Sequence, residues 1–187
     1  LHKAGQLLKE YPDVFMHTHL SENKNECAWV AELFPECENY LDVYDQHGLL
    51  SKRSVFAHGI HLCDSEYERL RDTNSSLSYC PTSNLFLGSG LFDLKKAQDY
   101  NIDVGLGTDV GGGTSFSQLQ TLNEAYKIQQ LRGDKLTAMK SFFLATLGGA
   151  QALDLDDKIG NFELGKEADF VILDYHCTDL MRVRMDN

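Results

Sequence analysis

Two histidines and a carboxylate follow a short apolar run near the start of the sequence. The stretch from Phe15 to Glu22 is Phe-Met-His-Thr-His-Leu-Ser-Glu, and its apolar beginning predicts a buried strand. Because side chains alternate along a strand, His17 and His19 are expected on the same face. Glu22 comes three residues after His19, where a loop can fold its carboxylate back over that ring. An imidazole that binds a metal, beside a carboxylate that moves protons, is the minimum set for metal-assisted hydrolysis.

The same stretch has a second interpretation that involves no chemistry. Two histidines on a buried strand are also typical of hydrogen-bonded core residues, and Ser21 is a suitable N-cap for a following helix. The pattern HTHxxE is not unique to any class of site. This stretch alone therefore leaves both interpretations open.

The elements that must position these groups alternate between strand and helix. Apolar runs predict four strands, at 14–17, 54–57, 75–79 and 103–106. Helical spacing and helix stop signals predict helices at 1–11, 23–34, 40–46, 65–72, 91–100, 117–132 and 137–153, with a polar loop at 81–90. A last strand is predicted at 169–173. Strands that alternate with helices in this way indicate βαβ units and a parallel sheet.

Polar side chains follow the predicted strands at the point where each strand ends. His19, His58, Asn84 and Asp109 each come at or shortly after such an end. In a (β/α)8 barrel this edge of the sheet builds the active site. Four strands are half of such a barrel, and a barrel typically needs about 250 residues. The 187 residues are therefore too few for a complete one.

Charge and composition exclude several classes of partner. A net charge of −11 disfavours binding to nucleic-acid phosphates or to anionic membranes. Five cysteines without a CxxC pair are typical of reduced thiols in a cytoplasmic protein. No apolar run approaches the roughly 20 residues of a membrane span. The glycines at 111–113 lack the spacing of phosphate-binding loops.

Six short motifs together carry a resemblance to a known family. They are FMHTHLSE at 15–22, AHG at 57–59, CPTSNL at 80–85, GLGTDVGGG at 105–113, ATLGGA at 145–150 and GNFELGKEAD at 160–169. In order and spacing they resemble the amidohydrolase superfamily of metal-dependent hydrolases over nearly the whole chain. The resemblance implies an α/β fold, with the C-terminal part of a (β/α)8 TIM-type barrel at 1–155, whose strands resemble the fifth to the eighth. It also implies an incomplete segment of a small β domain at 156–187.

The same resemblance implies roles for individual residues. It implies one zinc ion per active site, with His19 and Asp109 as metal ligands. Glu22 resembles the family's proton shuttle, Asp109 also handles the water proton, and His58 faces the activated water and the substrate. The substrate contacts that it implies come from His19, Leu20, Ser21, Glu22 and Asp109.

The pattern His17-Thr18-His19 is itself an HxH and resembles the metal motif that follows the first strand of these barrels. Two strand candidates lie between it and the strand before Asp109, whereas a complete barrel would have six there. We therefore interpret His19 as the fifth-strand ligand and His17 as structural. On this interpretation the true HxH and a purine-holding arginine precede the chain, which is expected to be a fragment. The remaining histidines, His2, His47, His61 and His176, carry no motif and are predicted to lie at the surface.

The function implied by the resemblance is hydrolytic deamination of guanine to xanthine and ammonia, a step of purine catabolism. The full-length family also implies a homodimer. One alternative is another amidohydrolase that deaminates an amino-heterocycle such as a pterin, a triazine or a pyrimidine. A second is a catalytically inactive truncated product that associates with a full-length partner, since half a barrel exposes strand edges and apolar surface. In either case the isolated chain is expected to be inactive.

Overall fold

Four parallel strands form one sheet in the order in which they occur along the chain. The computed structural model describes residues 1–185. The strands are β1 Met16–Leu20, β2 Ser54–His58, β3 Ser76–Tyr79 and β4 Val104–Leu106. Because parallel neighbours need a crossover, a helical connection joins each strand to the next. All four carboxyl ends therefore meet at one edge of the sheet, as the positions of the polar residues predict.

Ten helices surround and follow the sheet in residues 1–185. They are α1 His2–Glu10, α2 Lys24–Leu33, α3 Tyr40–Asp45, α4 Asp64–Asp72, α5 Pro81–Phe86, α6 Leu94–Asp99, α7 Gln118–Arg132, α8 Ala138–Ala145, α9 Leu147–Ala152 and α10 Asp179–Met185. Within this described part, none of them combines the length and the apolar character that crossing a lipid bilayer requires.

The two faces of the sheet differ in what they carry. Phe56, Leu77 and Val104 lie in register on neighbouring strands and are buried in the main hydrophobic core with residues of the helices. On the other face, His19 is in register with Ala57, and that row continues through a serine and a glycine. Small side chains in this second row leave space beside the His19 imidazole.

The N-cap of α2 lies two residues later than the sequence suggests. Asn23, and not Ser21, is the N-cap, and its side chain accepts a hydrogen bond from the Glu26 amide. The Glu26 carboxylate in turn accepts from the backbone of Asn23, which completes a capping box. Ser21 remains in the connection between β1 and α2, where its backbone serves the site described below.

Three predicted elements differ from the structure. Residues 81–90, predicted as a loop, contain helix α5, because Pro81 occupies the first helical position where its missing N–H costs nothing. The single helix predicted at 137–153 is broken at Thr146, whose backbone has φ −131° and ψ −101°. The strand predicted at 169–173 does not form, since no strand in residues 1–185 pairs with it and Phe170, Val171 and Ile172 are exposed. The division into domains at 155/156 stays a prediction.

Helix α1 contacts the loop after α3 at Gly5. This contact predicts that replacing Gly5 by alanine destabilises the protein, although alanine normally stabilises a helix. A Cβ atom at Gly5 would lie 1.9 Å from the carbonyl oxygen of His47. Alanine normally stabilises a helix interior by about 1 kcal/mol relative to glycine. Here we expect Gly5→Ala to lower the free energy of unfolding by about 1–3 kcal/mol, because the backbones must separate.

The matched control is Gly149→Ala in α9, where the new Cβ would have its nearest neighbour at 3.5 Å, an ordinary contact. Urea denaturation of both variants measures the difference. Equal free energies of unfolding for Gly5→Ala and Gly149→Ala would contradict the close packing of α1.

Candidate functional site

Three side chains from the ends of three strands converge at the carboxyl edge of the sheet. His19, His58 and Asp109 each present one potential ligand atom, and these atoms lie within 4.8 Å of one another. The rings of His19 and His58 stack with their centroids 5.2 Å apart and their planes 9° from parallel. Asp109 Oδ2 lies 3.8 Å from His58 Nε2. The structure thus brings both predicted metal ligands together, with His58 as a third donor.

An unusual backbone conformation directs His58 into this cluster. In the register of β1 and β2, His58 is paired with Leu20, whose side chain lies in the hydrophobic core. A regular strand would point His58 towards the same core. His58 instead has φ 72°, in the left-handed region that non-glycine residues rarely adopt, and its ring stacks on His19. Such a conformation costs about 1–3 kcal/mol, and residues of this kind cluster at functional sites.

Asn84 holds the imidazole of His58 and determines which nitrogen carries the hydrogen. His58 Nδ1 lies 2.9 Å from Asn84 Oδ1, and both residues are fully buried. An amide oxygen can only accept a hydrogen bond, so Nδ1 donates and the other nitrogen of the neutral ring has a free lone pair. That atom, Nε2, has no hydrogen-bond partner among residues 1–185.

The unpaired nitrogen provides a test of whether a metal ion fits this site. A buried polar atom without a partner is costly, so an unpaired Nε2 calls for an explanation. Two imidazole nitrogens and a carboxylate oxygen are a donor set that zinc prefers. A histidine ligand also normally donates its second ring N–H to an oxygen acceptor, as His58 does to Asn84. The residues present therefore fit a zinc ion.

Cys80 lies close to the same edge but does not join the donor set. Its thiol is buried, and burial raises the pKa of Cys80 to about 11. Because the thiolate is the form that binds metals and attacks electrophiles, Cys80 is inert near neutral pH.

Glu22 folds back over the cluster, as its position three residues after His19 predicts. Its Oε2 lies 3.7 Å from His58 Nε2, and its Oε1 accepts a hydrogen bond of 2.8 Å from Ser89 Oγ. The backbone N–H of Glu22 donates to the Glu26 carboxylate at 2.8 Å. Two carboxylates, those of Glu22 and Asp109, therefore approach the same imidazole nitrogen at similar distances.

Leu20 and Ser21, the other predicted substrate contacts, do not join the cluster of His19, His58 and Asp109. The side chain of Leu20 is fully buried in the core, and the carbonyl of Ser21 accepts hydrogen bonds from the N–H groups of Ile60 and His61. Any contact of these two residues with a substrate would involve their backbone, and that role stays a prediction. Desolvation, and then the nearby His19, lower the pKa of His17, so that its ring is neutral at pH 7.

Three residues to which the sequence analysis gave no role support this site, and of these it placed only Asn84 at this edge of the sheet. Asn84 holds His58, Ser89 holds Glu22, and His61 donates from Nε2 to the carbonyl oxygen of Ser89 at 2.9 Å. His61, which was predicted to lie at the surface, is partly buried, and its ring contacts the loop after α5. The available signal was the Gly-Ser-Gly sequence at 88–90, since glycines allow the close approach of this loop.

Comparisons with known proteins point to one family. Residues 1–185 match the Amidohydrolase family. Guanine deaminase from Escherichia coli (strain K12) is 58% identical over 184 residues, which are 98% of this chain and 42% of that protein. Its solved structure is similar with a TM-score of 0.96 and 57% identity, covering 99% of this chain and 44% of that chain.

Two further solved structures contain a ligand or a metal. Guanine deaminase from C. acetobutylicum with bound guanine in the active site has a TM-score of 0.80 at 32% identity, and the match covers 88% of this chain and 40% of that one. An adenosine deaminase from Xanthomonas campestris with bound zinc has a TM-score of 0.81 at 28% identity, with 90% and 39% covered. The chain spans 42% of the length of the E. coli relative. These matches confirm the predicted fold class, an α/β portion of a TIM-type barrel.

Proposed function

This chain belongs to the amidohydrolase family, and from that premise we propose that the protein which contains it hydrolyses guanine to xanthine and ammonia. The observation that carries the proposal is the convergence of His19, His58 and Asp109 under the Glu22 carboxylate. The likeness to guanine deaminases, at 58% identity to the E. coli protein, supports guanine as the substrate. A homodimer, a cytoplasmic location and a place in purine catabolism belong to the same proposal.

We assign a zinc ion to His19 and Asp109, with Nε2 of His58 as the third donor. Two observations support this assignment. The three ligand atoms lie within 4.8 Å of one another, and Nε2 of the buried His58 ring has no hydrogen-bond partner in residues 1–185. When bound, zinc supplies Lewis acidity that lowers the pKa of water from 15.7 towards about 7 and so provides a nucleophile at neutral pH. Asn84 keeps Nδ1 of His58 protonated, which leaves Nε2 available for this role.

The deamination also requires proton transfers that this chain's own residues can perform. Water adds to the ring carbon that bears the amino group, the neighbouring ring nitrogen takes up a proton, and ammonia leaves with another. The Glu22 carboxylate carries these protons, since its Oε2 faces the cluster. Asp109 orients the attacking water and accepts the second of its two protons, the one that the added hydroxyl loses, which then leaves with ammonia by way of Glu22. His58 lies between the two carboxylates, and because its only N–H is donated to Asn84, it would act on the water through the metal ion that Nε2 holds and not by a hydrogen bond to the developing oxyanion.

A panel of amino-heterocycles tests the substrate. The complete, zinc-loaded protein is assayed with guanine, a pterin, a triazine and an aminopyrimidine under the same conditions. We expect the highest kcat/KM for guanine. A higher kcat/KM for any other compound of the panel would contradict the guanine assignment and leave the amidohydrolase chemistry intact.

Substitution of Asn84 tests whether this residue orients the His58 ring or only stabilises the fold. In Asn84→Leu the Nδ1–H of His58 loses its acceptor, so the ring can turn or change tautomer. We expect zinc affinity or kcat to fall about 10- to 100-fold, the usual effect of removing such a supporting acceptor. Zinc retained during dialysis against a chelator, together with kcat, measures this.

The matched control for that substitution is Ser83→Ala. Ser83 is the preceding residue of α5, and its hydroxyl is buried without a hydrogen-bond partner in the described residues 1–185. Its removal should change neither zinc retention nor kcat by more than about twofold. Equal losses in both variants would show that α5, and not the Asn84 amide, is responsible.

A further inference from the structure

The proton-carrying side chain at this site is held at one of its two oxygens. Ser89 Oγ donates to Glu22 Oε1 at 2.8 Å, while Oε2 of the same carboxylate faces His58 Nε2 at 3.7 Å. Ser89 is 7% exposed. One oxygen of Glu22 is thus anchored and the other is directed towards the cluster.

The loop that carries Ser89 is itself fixed on both sides. The Ser89 N–H donates to the carbonyl of Asn84, and the Ser89 carbonyl accepts from His61 Nε2, both at 2.9 Å. Gly88 and Gly90 flank it with φ angles of 69° and 139°, which glycine adopts without strain. A Cβ at Gly90 would lie 2.8 Å from a methyl carbon of Ile60, so the loop packs tightly against the connection after β2.

His61 links this loop to the segment that carries Glu22. Its backbone N–H donates to the carbonyl of Ser21, the residue before Glu22, at 3.1 Å, while its ring donates to Ser89. The connections after β1, β2 and β3 are therefore joined through one residue. The distance between Ser89 and the backbone of Glu22 is set by the fold and not by the Glu22 side chain.

We propose that Ser89 is a positioning residue for Glu22, an inference that rests on the proposed function. Oε2 is the oxygen that faces the cluster, so Oε1 remains a hydrogen-bond acceptor whether or not Oε2 carries a proton. The hydrogen bond from Ser89 therefore persists through the proton transfer. Ser89 holds the carboxyl plane while Oε2 exchanges protons, and a displacement of about 1 Å can cost roughly 10²-fold in rate.

A double-mutant cycle in the complete, zinc-loaded enzyme tests this. Ser89→Ala is measured in the wild-type background and in the Glu22→Gln background, with kcat, KM for guanine and zinc content determined for each protein. We expect Ser89→Ala to lower kcat by roughly 10-fold or more in the wild type, with KM and zinc content within about twofold. In the Glu22→Gln background its further effect on kcat should be less than about twofold, since coupled residues are not additive.

Ser75→Ala is the control for loss of a buried hydroxyl. Ser75 is buried at the opposite end of β3, and its Oγ donates to the carbonyl of Ser51 at 3.1 Å. This variant should keep kcat within about twofold, as residues distant from the site act independently.

Each outcome of these measurements either supports or overturns the positioning role of Ser89. The same loss of kcat from Ser89→Ala in both backgrounds would show a structural role and overturn the proposal, as would an unchanged kcat in the wild type or a loss of zinc. A Glu22→Gln enzyme with normal kcat would instead overturn the role of Glu22 in the proposed function. The two failures are therefore distinguishable.

Discussion

Glu22→Gln in the complete enzyme is expected to lower kcat by about 10² or more while zinc stays bound, because a general acid/base contributes on this scale. Glutamine has the size of glutamate, and its amide oxygen can still accept the hydrogen bond that Ser89 donates to Oε1. It cannot carry a proton between water, the ring nitrogen and the leaving amine. Kinetics and metal analysis on one preparation measure both quantities.

The exposed Glu32 on α2 offers the matched control, since Glu32→Gln removes the same charge away from the site. Its kcat should be unchanged. Loss of zinc together with activity in Glu22→Gln would show that Glu22 is a metal ligand. Metal binding would then replace proton transfer as the role of this residue.

The isolated 187-residue chain is expected to deaminate guanine far more slowly than about one turnover per second, the lower end of ordinary enzyme rates. Catalytic zinc needs about three protein ligands held rigidly around an open position. Here His19 is exposed on β1, and among the described strands β1 pairs with β2 alone. His58 and Asp109 both have positive φ, at 72° and 45°, and such backbones persist only when their surroundings hold them.

Zinc should accordingly bind loosely to this chain and be removed by mild chelators. The assay follows guanine absorbance and ammonia release with saturating zinc, and the complete protein serves as the reference. Turnover near one per second by the chain alone, without a partner, would show that His19, His58 and Asp109 suffice. It would contradict the expectation that the site needs further residues.

Much of the sheet could be predicted from the sequence because its signals are local. Apolar runs bounded by glycine, proline and polar residues place all four strands to within two or three residues of their observed bounds. Helix α5 was missed because six residues that begin with Pro81 carry too little periodicity to distinguish a helix from a loop. The strand predicted at 169–173 has suitable side chains, but a strand needs a neighbour, and pairing is not a local property.

The sequence by itself was enough to select the residues for the proposed chemistry: two histidines, a glutamate and an aspartate at or after the ends of parallel strands. Only the tertiary structure decided how these side chains lie relative to one another. Alternation along β2 would have placed His58 in the core with Leu20, and the left-handed backbone that turns it onto His19 depends on packing. Ser89 reaches Glu22 only because loops distant in sequence are joined through hydrogen bonds. Residue type is a local property, whereas the direction of a side chain and the protonation of its ring depend on neighbours that the fold brings close.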